Sequence, residues 1–360
     1  LIALLPFGAA AETIRIATYH TELSRKGPGL LLHDILGEKD AQVNAVASVI
    51  SHISPDVILL LDFDFDYDLV ALKAFGARLG YPHAFARMPN SGLETGLDMD
   101  GDGRLGGPRD AQSFGYFTGQ GGMAVLSRLP ILADEARDFS QMLWRDIPQA
   151  QLPVKADGAP FYSDEALALL RLSSVGHWDV PFALPDGTIA HLLAYHAGTP
   201  VFDGPEDRNG LRNADEQRLW RLYLDGALPG IEAPNGPLIL AGSANLDPED
   251  GAGKREAIKA LLAHPRLVDP MPKSEGARLA GDSGVNADHR GDPALDTADW
   301  KDEGNSPGNL RVDYLLPSTE WEVIDAGVLW PAPDDPEAEI LGSGKGRASR
   351  HALTWVDLRR

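Results

Sequence analysis

The chain has 360 residues, 43% hydrophobic and 24% charged, with 38 Gly, 27 Pro and no Cys. That composition supplies a large core and long loops, and it excludes disulfides, thiolate metal sites and a cysteine nucleophile. The formal net charge of -21 repels nucleic-acid phosphates and anionic membranes. No Lys/Arg cluster offsets it, so the expected partners are small ligands and cations, on a monomer.

Leu1 to Ala11 is an apolar run closing on Ala9-Ala10-Ala11, the pattern of a signal-peptide end with its small-residue cleavage site. It predicts export to the periplasm or medium. No other run is apolar for long enough to span a membrane. Residues 12–360 carry no repeat and no linker-like shift in composition, which predicts a single domain.

Ile14 to His20 alternates and reads as a strand with His20 at its end. Leu30 to Leu36 is a short helix. Ala41 to Ile53 spaces Val43, Val46, Val49, Ile50 and Ile53 as one helical face, stopped by Pro55. Val57 to Leu61 is a continuous apolar strand that runs into Asp62, Asp64, Asp66 and Asp68. These acids have period two; Asp62 is a site candidate and the other three read as a solvated face. Val70 to Leu79 is a further helix, and the order points to alternating α and β layers.

Residues 90–119 form a long Gly/Asp loop, of a length that is usually functional or metal-organised. Met123 to Ser127 is a strand, and Asp164 to Arg171 a short helix. Trp178–Leu184 and Thr188–His196 pair as a hairpin around Pro185-Asp186-Gly187. A polar loop, 200–212, precedes a helix over Asn213 to Leu224. Pro237 to Leu240 is a buried strand that ends in Gly242-Ser243-Ala244-Asn245. Lys254 to Leu262 is a helix, 270–308 a second long loop, Leu310 to Leu316 a strand, and Trp321 to Trp330 an outer strand. Ser349-Arg350-His351 forms a polar tip before a closing strand.

His20, Asp62, His196, Ser243 with Asn245, Asp313 and His351 thus sit at strand ends from distant parts of the chain. Such convergence builds sites in layered α/β enzymes. Carboxylate and amide oxygens that hold a cation, with a histidine oriented by an aspartate, point to metal-assisted phosphoryl transfer.

From about Ile14 to Val356 the pieces resemble the endonuclease/exonuclease/phosphatase superfamily. They are Ala17-Thr18-Tyr19-His20, Asp56 to Asp62, Gly122 to Pro130, Tyr195-His196, Gly242 to Asn245, Arg311 to Tyr314 and Ser349 to His351, in family order. The resemblance implies a four-layer α-β-β-α sandwich of two stacked mixed sheets, of an exported bacterial branch. It implies His351 as general base oriented by Asp313, with His196 and Asn245 on the phosphate. Four positions depart: His20 for the metal Asn, Asp62 for the metal Glu, Ser243 for the Asp of Gly-Asp-x-Asn, and Arg350 for the Asp before the catalytic His. Asp62 and His20 are then candidates for a cleft metal, with nitrogen favouring Zn²⁺ or Mn²⁺ over Mg²⁺. Arg350 beside His351 would lower the pKa of that histidine or bind phosphate itself. Ser243, Arg350, His177 and Arg208 are candidate substrate contacts; for His177 the alternative is a structural histidine, for Arg208 a loop ion pair with Asp207.

Asp98, Asp100, Asp102 and Gly103 match the first two-thirds of an EF-hand loop, with Arg109 where the closing Glu belongs and Asp110 next to it. The flanks do not read as helical, so a lone structural Ca²⁺ loop is expected. Taken together, the sequence predicts an exported metal-dependent hydrolase of a small phosphorylated organic substrate with a modified site. The alternative is a non-catalytic, calcium-stabilised binding protein on the same fold.

Overall fold

The computed structural model describes residues 13–360; the leader expectation for residues 1–11 lies outside them. The strands and helices in chain order are β1 Ile14–Leu23, α1 Leu30–Gly37, α2 Ala41–Ile53, β2 Val57–Phe63, α3 Val70–Leu79, β3 His83–Phe85 and β4 Gly122–Ser127. Then come β5 Arg137–Asp138, α4 Asp164–Leu167, β6 Gly176–Ala183, β7 Ile189–His196, α5 Arg208–Leu224 and β8 Leu238–Ser243. The chain closes with α6 Arg255–Leu262, α7 Glu275–Ala280, β9 Asp313–Pro317, β10 Glu322–Val328 and β11 Thr354–Arg359.

The strands form two mixed sheets. One has six strands in the order β10-β11-β1-β2-β4-β3; the other has five, β5-β6-β7-β8-β9. Side-chain alternation stacks them. In β7, Leu192 and Ala194 enter the core shared with the first sheet, while Leu193 and Tyr195 pack with Leu219, Trp220 and Tyr223 of α5. In β8, Ile239 and Ala241 face inward and Leu238 and Leu240 face α5 and α6. Both faces of these strands are therefore dry, which is why they read as continuous apolar runs. On the far side, Val43, Val46, Ile50 and Phe75 of α2 and α3 cover the first sheet. Each such side chain, fully buried, contributes about 2 kcal/mol. This is the expected layered α-β-β-α sandwich.

The topology also explains why the candidate residues meet. Each sheet has a parallel pair, β1 with β2 and β7 with β8. The C-terminal ends of these pairs carry His20, Asp62, His196 and Ser243. β9 runs antiparallel to β8 and starts with Asp313 opposite Ser243. β11 runs antiparallel to β1 from Thr354 opposite Thr18, so His351, just before it, lies beside His20.

Three elements differ from expectation. α5 begins at Arg208 rather than Asn213. Its inner face buries Asn213, Asp215, Glu216 and Gln217, so apolar periodicity is hidden by polar side chains that find partners: Asp215 accepts from Trp144 Nε1 at 2.8 Å, and Glu216 accepts from Gly198 N at 2.8 Å. The 270–308 loop contains α7 and two short 3-10 turns, Gly284–Asp288 and Pro293–Leu295. Asp64 is buried rather than solvated, accepting from Arg25 N and Gly121 N at 2.8 and 2.9 Å. Burial pushes its pKa up to about 6 against those bonds.

Candidate active site

A cleft of about 530 Å³ opens at the strand ends, and His20, Glu22, Asp62, His196, Asn245 and His351 line it. Trp300 and Lys301, from the second long loop, and Arg350 form its rim. Asp313 lies beneath, 2% exposed, and its Oδ2 accepts from His351 Nδ1 at 2.7 Å. Burial pushes Asp313 up, but the bond and charge of His351 outweigh it, so the carboxyl titrates below its ordinary range. An ionised carboxylate only accepts, so Nδ1 of His351 carries the proton. In the neutral ring Nε2 is then the nitrogen with the free lone pair.

The other two histidines are buried and neutral. His20 stacks flat on His351, ring centroids 4.0 Å apart and planes 10° apart, and His196 meets His20 edge-on at 5.0 Å. Burial, and then the neighbouring imidazoles, bring both His20 and His196 down to about 3. The Nδ1 atoms of both, and Oδ1 of Asp313, are buried without a hydrogen-bond partner. Asn245 sits in the left-handed region at φ 48 and donates Nδ2 to Ala197 O at 2.8 Å. The carbonyl can only accept, so the amide orientation is fixed, with Oδ1 left as an acceptor.

Glu22 is a cleft residue that the motif reading passes over. It follows His20 by two positions, across an irregularity in the β1–β2 pairing where Glu22 takes up the left-handed region at φ 52. Its Oε1 accepts from Arg350 Nε at 2.7 Å and its Oε2 from Arg350 N at 2.9 Å. Burial raises Glu22, and the Arg350 bonds more than reverse that. The charge expected to bear on His351 is thus met by Glu22. Asp62, also in the left-handed region at φ 54, is raised by burial, with His196 opposing. A side chain at Gly121 would stand 2.6 Å from its Oδ1, so this glycine makes room for the carboxylate.

Other candidates lie elsewhere. Ser243 is fully buried under the cleft and does not line it; its short side chain ends 3.5 Å from Val312 O. His177 is a core histidine: Nε2 lies 3.3 Å from Glu216 O and Nδ1 2.8 Å from Ser173 Oγ. Arg208 is held by Glu206 at 2.7 Å and lines the adjoining groove beside Arg109 and Arg212. Asp98, Asp100 and Asp102 do bring one carboxylate oxygen each within 4.8 Å of the others. Asp110 does not join them. It is buried and clasps Met99 N and Gly107 N at 2.9 and 2.8 Å.

The sequence profile of the endonuclease/exonuclease/phosphatase family matches residues 34–351. The chain belongs to this family. No curated protein matches it. Similar solved structures include a family protein of Beutenbergia cavernae, 18% identical, covering 96% of this chain and 71% of that one at a TM-score of 0.55. A Bacteroides thetaiotaomicron family protein is 16% identical over 98% and 96%, TM-score 0.53. A mannosyl-6-phosphatase of the same species is 15% identical over 96% and 100%, TM-score 0.51. These likenesses show the fold.

Enzymes of the endonuclease/exonuclease/phosphatase family generally use divalent metals. The cleft residues fit such an ion poorly. Glu22 is already engaged by Arg350, His20 is stacked on His351, and Asp62 remains as a single carboxylate. Among the described residues, Asp98, Asp100 and Asp102 are the one group of three His or acidic side chains with ligand atoms within 4.8 Å; the cleft forms none.

Proposed function

We propose that the protein is a phosphoester hydrolase of small organic phosphates, acting outside the cytoplasm. The observation that carries this reading is the 2.7 Å bond between His351 Nδ1 and Asp313 Oδ2 at the floor of the cleft. With the proton held on Nδ1, Nε2 takes one from water as its oxygen attacks phosphorus; the P–O bond to the alcohol breaks on the opposite side, and the departing alkoxide is protonated from solvent. Asp313 stabilises the imidazolium that forms. Asn245 Oδ1 accepts a hydrogen bond from the second water O–H and orients the attacking lone pair. Arg350 and Lys301 at the rim supply positive charge to the phosphate.

The net charge of -21 favours a small substrate over a polyanion, and the mannosyl-6-phosphatase neighbour is in keeping with that. Export rests on the Leu1 to Ala11 pattern alone. Metal dependence has weaker support than in the sequence reading, since the cleft offers Asp62 and His20 without a converging third ligand. The test is a panel of phosphomonoesters and phosphodiesters, with EDTA or with Mg²⁺, Mn²⁺, Zn²⁺ and Ca²⁺. Turnover that disappears in His351→Ala supports the proposal. No turnover on any substrate under any of these conditions overturns it.

A further inference from the structure

Behind the turn that follows Asn245 lies a second cavity of about 100 Å³, lined by Asp250, Asn286, His289, Gly291 and Asp296. Asp296 is 8% exposed, and its carboxylate has no hydrogen-bond partner among the described residues. Its neighbours are otherwise satisfied. Asp250 accepts from Arg290 N and Gly291 N at 3.0 and 2.8 Å. Asp247 accepts from Glu249 N, Asp250 N and Arg311 N. Asp292 pairs with Lys273 at 2.7 Å. Asp296 is therefore a buried acid among acids with no donor and no cation. An unpaired buried carboxylate is costly, and a cation would remove that cost.

We propose that this cavity is a calcium site, with Asp296 and Asp250 as charged ligands and Asn286 Oδ1, main-chain carbonyls and water completing an oxygen shell. Oxygen donors on irregular loop backbone suit the flexible shell of Ca²⁺ better than the strict octahedron of Mg²⁺. Asn286 Oδ1 accepts one bond, from Asn309 N at 2.7 Å, and keeps a second lone pair. The place of the site gives it a positioning role. Asp250 closes the turn that begins at Asn245. Asp296 precedes Thr297, whose Oγ1 accepts from Val312 N and Asp313 N at 3.0 Å each, and Ala298 bridges to His351. A bound ion joins the Asn245 turn to the segment that holds the His351–Asp313 pair.

The site is separate from the Asp98–Asp102 loop and independent of the hydrolase reading. The test uses the full chain stripped with EGTA and titrated with Ca²⁺ alone, followed by calorimetry and thermal unfolding. Asp98→Asn, Asp100→Asn and Asp102→Asn are first combined, to remove the other group of converging carboxylates. This variant is expected to bind one Ca²⁺ and to melt higher with it. Adding Asp296→Asn should abolish both effects and, in EGTA, raise the melting point by removing a buried acid from among like charges. A loop variant that binds no Ca²⁺ overturns the proposal, as does Ca²⁺ binding that survives Asp296→Asn. Should the Asp296 variant not fold, the Ca²⁺ count of the loop variant alone decides.

Discussion

Glu22 Oε1 lies 2.7 Å from Arg350 Nε, so the one arginine on the cleft rim is tied back by a carboxylate from β1. A phosphate group competes with Glu22 for this guanidinium. Arg350→Ala should raise KM for a phosphomonoester about tenfold, equivalent to about 1.4 kcal/mol, with a smaller change in kcat. Glu22→Gln should act in the opposite direction and lower KM. Steady-state kinetics on both variants check this; a raised KM in Glu22→Gln would place Glu22 on the substrate side of the balance.

The buried histidines make stability fall in acid. His177, His20 and His196 titrate near 3 in the folded chain against an ordinary 6.5, burial being the main cause. As pH falls below 6.5 the unfolded chain takes up protons that the folded chain refuses. Stability is therefore lost from pH 6.5 downwards, at about 1.4 kcal/mol per pH unit for each histidine. His177→Gln is the cleanest test, since His177 lies outside the cleft. Urea unfolding at pH 6 and pH 5 should show a loss smaller by about 1.4 kcal/mol in the variant. An identical loss would mean that His177 is not held neutral.

Gly242 closes β8 at φ 148, and a Cβ there would stand 1.9 Å from Tyr195 O. Backbone cannot yield to that extent beside a paired strand. Gly242→Ala should destabilise by about 3 kcal/mol or more, read as a shift in the urea midpoint. The same change at Gly187, whose Cβ would meet nothing within 4 Å, should cost about 1 kcal/mol from its positive φ alone.

Chelation separates stability from chemistry. With the cleft charge carried by Arg350 and Lys301, EDTA should lower the melting temperature and, by emptying the Asp296 cavity behind the His351–Asp313 pair, reduce hydrolysis without abolishing it at temperatures where the protein stays folded. Activity that vanishes in EDTA and returns with one divalent ion would restore Asp62 and His20 as metal ligands.

The layered fold was legible because its strands are buried on both faces: Val57 to Leu61 and Leu238 to Leu240 leave no helical alternative of adequate length. The residues on the strand ends were legible for the same reason: five of them line one cleft, and Asp313 and Ser243 lie beneath it. What was hidden is polar. The first turns of α5 bury Asn213, Asp215 and Glu216, so the pattern carries no apolar stripe to mark them. His177 and His196 look alike in sequence, and the difference is register: they lie on adjacent antiparallel strands, with Gly176, not His177, opposite His196, which turns His177 towards Trp220 of α5. Glu22 was missed because no motif ends on it. One further signal was present, the Arg350 charge that needed a partner, while the backbone irregularity at Glu22, φ 52, cannot be read from strand phase.

The most direct measurement is the pH dependence of kcat/KM on a chromogenic phosphomonoester for the wild type and Asp313→Asn. The amide cannot hold the proton on His351 Nδ1 as the carboxylate does, and it removes the charge that stabilises the imidazolium. The account predicts a loss of 10²–10⁴-fold, with the acid limb of the wild-type profile displaced in the variant. An Asp313→Asn enzyme within about threefold of wild type, on an unshifted profile, would contradict the assignment of His351 as the base.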